Sequence, residues 1–211
     1  ESFIQTRVID PLGLSATTAH AEPEGSTRFT DVATPYRFKT GDSEPGRFPV
    51  YNNPLGPAGS IHSTLTDLVT WIKVHTHGGL SNGLQLVSPE NLAVMHTPHM
   101  IIPATAQKRN MMNHGLFAYG LGWFIEPYQG VTLCHHGGNI GGFSLIAGFV
   151  PQEDIALIVL SNIKGKTMAN ALMYDALDAA LGIDAAHTKN WSAEFLKATQ
   201  DGQEEAKEVL D

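Results

Sequence analysis

The densest run of chemically capable residues is Cys134-His135-His136-Gly137-Gly138-Asn139-Ile140-Gly141-Gly142-Phe143. Two histidines close an apolar stretch, and four of the next six residues are glycine. Glycine lets a backbone approach a ligand closely and adopt positive φ. Backbone N–H groups left free in such a segment can stabilise an oxyanion. The plain alternative is a glycine-rich hairpin turn with incidental histidines.

Other groupings offer competing chemistry. Ser161-Asn162-Ile163-Lys164 spells S-x-x-K, but it follows an apolar strand pattern instead of opening a helix. Tyr51-Asn52-Asn53 spells Y-x-N. Gly165-Lys166-Thr167 echoes a phosphate loop, yet Leu160 stands where the earlier glycine is required. Ten histidines raise the question of a metal. His75 with His77, and His96 with His99, have usable spacings, but no H-E-x-x-H and no cysteine pair accompanies them. Surface or packing histidines are the expectation, and His62, just before a helix start, is read as structural. Cys134 lies in an apolar run, where a small buried thiol is the common case. No cofactor is called for.

These residues need elements to hold them. Glu1 to Ile9 reads as a helix already under way, with Phe3, Ile4 and Val8 on one face, which suggests that residue 1 is not a natural start. It is expected to stop at Asp10-Pro11-Leu12-Gly13. Residues 20–58 read as a long irregular excursion with scattered aromatics at Phe29, Tyr36, Phe38, Phe48 and Tyr51. A helix capped by Ser63 or Thr64 runs to Gly78-Gly79, with Leu65, Leu68, Val69, Ile72 and Val74 apolar. A second helix opens at Ser88-Pro89-Glu90, and residues 97–117 read as a loop. Strands follow at Tyr119–Ile125, Val131–His135, Phe143–Val150 and Ile155–Leu160, with the glycines from 137 to 142 read as a turn. Their short connections imply antiparallel neighbours. A helix over 167–181 ends at Gly182, and residues 183–211 read as a linker and polar helical tail.

Several segments, in this order, resemble the β-lactamase-related serine hydrolases, which include class C β-lactamases, penicillin-binding-protein-like enzymes, D-aminopeptidases and esterases. Val8-Ile9-Asp10-Pro11-Leu12-Gly13-Leu14 resembles the family's PLGM corner. Ala58-Gly59-Ser60-Ile61-His62-Ser63-Thr64-Leu65-Thr66-Asp67-Leu68 resembles its helix entry. Tyr119-Gly120-Leu121-Gly122-Trp123 resembles its YGLGW strand, and Leu160-Ser161-Asn162 the end of a later strand. His136-Gly137-Gly138, followed by Gly142-Phe143, resembles its third active-site motif. The resemblance covers residues 1–182, read as the carboxy-terminal part of one such domain.

The resemblance implies an α+β fold: a partial β-lactamase/transpeptidase-like architecture, with an antiparallel sheet packed with helices. It also implies acyl transfer through an acyl-serine on a small ester, amide or peptide-like substrate. The family uses a helix-borne S-x-x-K, a Y-x-N, and a K-T-G or H-x-G on an edge strand. Only the third has a match here, so the nucleophile is absent from this chain, and the chain alone is expected to be inactive. Within that frame His136 takes the place of the motif's Lys or His, Gly138 closes the motif, and the N–H of Asn139 is the oxyanion donor. Gly137 and Gly141 are the expected substrate-binding positions. A histidine here favours esterase or peptidase work over a dedicated β-lactamase. A non-catalytic binding or assembly module of the same fold is the alternative, and a metal-dependent hydrolase a further one.

Bulk properties narrow the partners. The net charge is -8, with 13 basic and 21 acidic side chains and no basic stripe, which argues against nucleic acid. No apolar run approaches the roughly 20 residues of a membrane-spanning helix. One cysteine allows no intrachain disulfide, so cysteine usage is silent on the compartment. A core meant to be closed by absent segments would expose apolar surface, so self-association or a partner chain is expected.

Overall fold

A computed structural model describes residues 2–19, 31–37, 46–47, 56–112, 114–184 and 186–208. Tyr51-Asn52-Asn53 and most of the 20–58 excursion lie outside them.

The chain opens with a continuous helical run: α1 (Ser2–Ile4), a π turn (Gln5–Ile9) and α2 (Asp10–Leu12). Pro11 does not stop it. Ahead of Pro11 the ladder widens, with the Asp10 N–H reaching back to the Gln5 carbonyl. That places the residue lacking an N–H beside a turn whose hydrogen bonds are already rearranged. Gly13, at φ 69°, ends the run. The short pair β1 (Tyr36–Arg37) and β2 (Gly46–Arg47) and the turn α3 (Gly56–Gly59) come next.

Helix α4 (Leu65–Thr76) starts where its chemistry indicates. The Thr64 side chain accepts from the Asp67 N–H at 3.3 Å. Thr64→Ala is expected to cost about 1 kcal/mol in urea unfolding. The hairpin β3 (Leu80–Ser81) and β4 (Leu84–Gln85) leads to α5 (Pro89–Met95), capped by Ser88 with Pro89 in its first turn.

Then follow β5 (Met100–Pro103), α6 (Ala106–Met112), β6 (Leu116–Tyr119), β7 (Phe124–Tyr128), β8 (Val131–Ile140), β9 (Phe143–Val150) and β10 (Ile155–Ser161). Helices α7 (Lys166–Ala180) and α8 (Trp191–Glu208) close the chain. Strands β5 to β10 form one antiparallel sheet in order of sequence.

Three boundaries differ from the sequence reading. Residues 97–117 contain β5 and α6 instead of a plain loop. The expected strand Tyr119–Ile125 is two strands, because residues 120–123 turn back. The Gly120 N–H bonds to the Trp123 carbonyl, and a Cβ at Gly120 would stand 2.3 Å from the Met95 carbonyl oxygen. Finally, β8 runs on to Ile140, and only Gly141 and Gly142, at φ 55° and 87°, make the turn.

The sheet has two covered faces, and the alternation of its strands assigns each residue to one. Leu133, Ile146 and Val150 pack with Tyr174 and Leu177 of α7 and with Trp191 and Phe195 of α8. Cys134, Ile125 and Phe149 pack instead with Ile72 of α4 and with Trp123. A smaller cluster joins Ile9, Leu12 and Leu14 to Val74 of α4. Apolar side chains also remain in the open. Leu65 and Val69 of α4 are 52% and 41% exposed, and the cross-strand partners Leu145 and Leu160 are 41% and 43% exposed.

Candidate functional site

The glycine-rich segment is the far end of β8, and its backbone direction follows from two hairpins. The β7–β8 turn is Gln129-Gly130, at φ 46° and 87°, and the β8–β9 turn is Gly141-Gly142. Both are two-residue turns with left-handed central residues. The residues flanking such a turn exchange both backbone hydrogen bonds, and bonded pairs then alternate along the ladder. Counting back from Ile140↔Phe143, residues Gly138, His136 and Cys134 bond to β9. Counting forward from Tyr128↔Val131, residues Leu133 and His135 bond to β7. The two counts agree. Strand β7 begins at Phe124, opposite His135. Among the described residues, β8 therefore has β9 on one side only from His136 onward. The N–H groups of Gly137 and Asn139 point to the other side, where β7 is no longer present.

Asn139 is also held through its side chain. The Gly165 N–H donates to the Ser144 hydroxyl oxygen at 2.9 Å, and that hydroxyl donates to Asn139 Oδ1 at 2.6 Å. Ser144 is buried. A buried serine with both hydrogen bonds committed works as a tie between the hairpin and the start of α7.

A groove of about 660 Å³ runs beside this edge, between the sheet and helices α6, α7 and α8. Gly137, Gly138 and Asn139 line it, and so does His135. His136 does not. It is half-buried, its ring stacked on Phe124 at 5.3 Å and edge-on to Tyr119 at 5.8 Å. Burial, then the neighbouring His135, lowers its pKa against an opposing hydrogen bond with the Gly137 backbone. The His136 imidazole is therefore biased toward the neutral form. Gly141 sits at the hairpin tip. The structure thus gathers Gly137, Gly138 and Asn139 along one edge of the groove and leaves His136 outside its lining, stacked on Phe124.

Behind the groove wall is a cluster that sequence reasoning missed. The Glu126 side chain is fully buried. The Tyr174 hydroxyl donates to its Oε1, His135 Nε2 stands 3.7 Å from the same oxygen, and Lys108 Nζ stands 4.0 Å from Oε2. Burial alone would raise the carboxyl's pKa; His135, Tyr174 and Lys108 outweigh it, and the group titrates below its ordinary range. A lone glutamate in an apolar strand was a signal available in the sequence. Its partners, from residue 108 to residue 174, were not.

The other candidates fall elsewhere. The histidines pair across elements: His75 Nδ1 meets His96 Nε2 at 3.1 Å, His77 approaches Asp154 at 3.5 Å, and His99 reaches the Val94 carbonyl. Among the described residues no group of three His, Cys, Asp or Glu is placed to hold a metal. Ser161 ends β10, and its hydroxyl oxygen accepts from the Ile163 N–H. Cys134 is fully buried, and burial pushes its thiol up to about 12. His62 bonds its own turn at the Ser60 carbonyl. No helix among the described residues is long and apolar enough to cross a membrane.

This sheet of antiparallel hairpins with helices on both faces has known relatives. The chain belongs to the Beta-lactamase family, whose profile it matches over residues 1–181. Its fold is therefore that of the hydrolase superfamily containing penicillin-binding-protein-like enzymes and D-aminopeptidases. It is 25% identical over 191 residues to an unguisins hydrolase of Aspergillus campestris (strain IBT 28561), covering 86% of this chain and 33% of that protein. It is 28% identical to the octameric penicillin-binding protein homologue from Pyrococcus abyssi, at a TM-score of 0.66, covering 86% of this chain and 37% of that one. A D-stereospecific amidohydrolase from Streptomyces sp. is 26% identical at a TM-score of 0.53, with 76% and 43% of the chains covered. The chain spans about a third of the length of the curated relatives it matches.

Proposed function

We propose that this chain supplies one wall of an acyl-enzyme site, in a hydrolase that cleaves ester, amide or peptide-like bonds through an acyl-serine. The nucleophile and its base belong to sequence outside this chain. The observation that carries the reading is the unpaired edge of β8 beyond His136. Two N–H groups there, on Gly137 and Asn139, face no strand among the described residues, and glycine neighbours leave room for close approach. Preorganised backbone donors of this kind stabilise the oxyanion that forms when a carbonyl is attacked. The Ser144 tie fixes Asn139 without occupying its N–H. His136, biased toward neutrality, offers a hydrogen bond in place of a fixed charge.

An amide or peptide-like substrate is favoured because relatives of this chain are described as an unguisins hydrolase and a D-stereospecific amidohydrolase. The exposed leucines on the α4 side of the sheet, Leu65, Leu145 and Leu160, suit coverage by the rest of such a protein or by a partner chain.

The test uses a fluorophosphonate or penicillin probe and intact-mass measurement. A covalent adduct is expected on a polypeptide extended upstream to the length of the relatives, and none on the 211-residue chain. Labelling of the shorter chain overturns the assignment of the nucleophile outside it. A longer polypeptide that never labels overturns the acyl-serine.

A further inference from the structure

We propose that the groove between the sheet and helices α6, α7 and α8 binds an organic monocarboxylate with an apolar body, its carboxylate seated between Lys108 and His135.

The groove's volume, about 660 Å³, falls within the range of small-molecule sites. Its long walls are apolar, with Phe124 and Ile146 from the sheet and Tyr174 and Phe195 from the helices. Among the described residues, its ionisable lining besides Tyr174 consists of Lys108 and His135, with no Asp or Glu. In a chain of net charge -8, a groove lined this way marks the sign of its ligand.

The cationic end is also under-coordinated. Lys108 Nζ lies 4.0 Å from Glu126 and 3.6 Å above the centre of the Phe117 ring, a position without a short acceptor. Among the described residues, His135 Nε2 and Glu126 Oε2 are buried and have no hydrogen-bond partner. Glu126 sits behind the wall and does not line the groove. It stands 4.0 Å from Lys108 Nζ and 3.7 Å from His135 Nε2, distances too long for hydrogen bonds. A ligand carboxylate entering from the groove would accept a charge-assisted hydrogen bond from Lys108, and one from His135 once its ring turns from Glu126 toward the groove. Lys108 agrees with this picture: burial lowers its pKa against the opposing pull of Glu126. A second acceptor would relieve that desolvation. An amine of the same shape would meet the like charge of Lys108 instead. The competing explanation is a self-contained ion-pair cluster that closes up by small side-chain shifts and binds nothing.

The two explanations differ in sign. The probes are 4-phenylbutyrate, 4-phenylbutylamine and 4-phenylbutanol, titrated into the 211-residue chain and followed by amide chemical shifts at residues 108, 135–139 and 174. Saturable shifts are expected with the carboxylate, and binding at least about tenfold weaker with the amine and the alcohol. Lys108→Met should weaken the carboxylate about tenfold or more. Glu126→Gln removes the competing negative charge and should strengthen it several-fold. Lys108 is 38% exposed, so its replacement keeps the test open if the Glu126 variant does not fold. No carboxylate binding, equal binding of the amine, no loss in Lys108→Met, or weaker binding in a folded Glu126→Gln each overturns the proposal. Acyl transfer is not assumed here, and the labelling test on the longer polypeptide stands or falls separately.

Discussion

Trp191→Ala is expected to destabilise the fold by about 3–5 kcal/mol, the usual range for truncating a buried aromatic. Trp191 is 2% exposed although it opens a helix whose sequence is largely polar. Its ring stacks on Tyr174 of α7 at 4.7 Å, and its indole N–H donates to Asp178 Oδ2 at 2.8 Å. Asp178 is itself buried, and it accepts a second hydrogen bond from the Tyr128 hydroxyl on the sheet. Truncation therefore opens a cavity and also strips one donor from a buried carboxylate, a further loss of about 1–3 kcal/mol if the oxygen finds no water. Urea unfolding should show a lower midpoint at an unchanged slope. Leu196→Ala, in the same helix but 56% exposed, is the control, and should stay within about 0.5 kcal/mol. A Trp191→Ala variant as stable as that control would mean that α8 is an appendage.

Acid should weaken the protein through His75. Its ring is 5% exposed, boxed by Trp71, Trp123 and Phe149, and joined to His96 on α5. Burial, then the charge of His96, lowers its pKa from 6.5 to about 3. The folded pKa thus lies below the unfolded one. Above about pH 6.5 both states are neutral and the full stability is present. As the pH falls through 6.5 and on toward 3, the unfolded chain takes up a proton that the folded chain refuses, and stability drops. The loss should reach about 2 kcal/mol at pH 5, with a ceiling of about 4–5 kcal/mol near pH 3. The check is the urea midpoint at pH 7 against pH 5, followed by tryptophan fluorescence. His75→Gln should flatten the difference. A wild-type midpoint that does not move between the two pH values would sink this account.

Local chemistry made much of the architecture legible. Ser63 or Thr64, and Ser88, announced two helices because a side-chain oxygen three residues before a free N–H is a cap wherever it occurs. The strands of β8, β9 and β10 read from short apolar runs separated by Gly, Pro and Asp. The glycines from 137 to 142 marked a hairpin, although only Gly141 and Gly142, both left-handed, make its turn. The order of weak motifs from residue 8 to residue 162 pointed to the family that the profile match supports. Strand boundaries around residues 97–125 were not legible. What divides β6 from β7 is the approach of Gly120 to the Met95 carbonyl, a contact between segments 25 residues apart.

By itself, then, the sequence determined which residues turn, which start helices, and which alternate between two faces, since these follow from φ, ψ and neighbours within about one turn. Only the tertiary structure decided which charged and polar groups meet. It set Glu126 against His135 and Lys108, paired His75 with His96, drew Trp191 into the core, and, among the described residues, left one edge of β8 without a strand past His135 because β7 starts at Phe124. Each of these depends on packing that brings distant segments within a few ångströms, and no periodicity along the chain encodes such a distance.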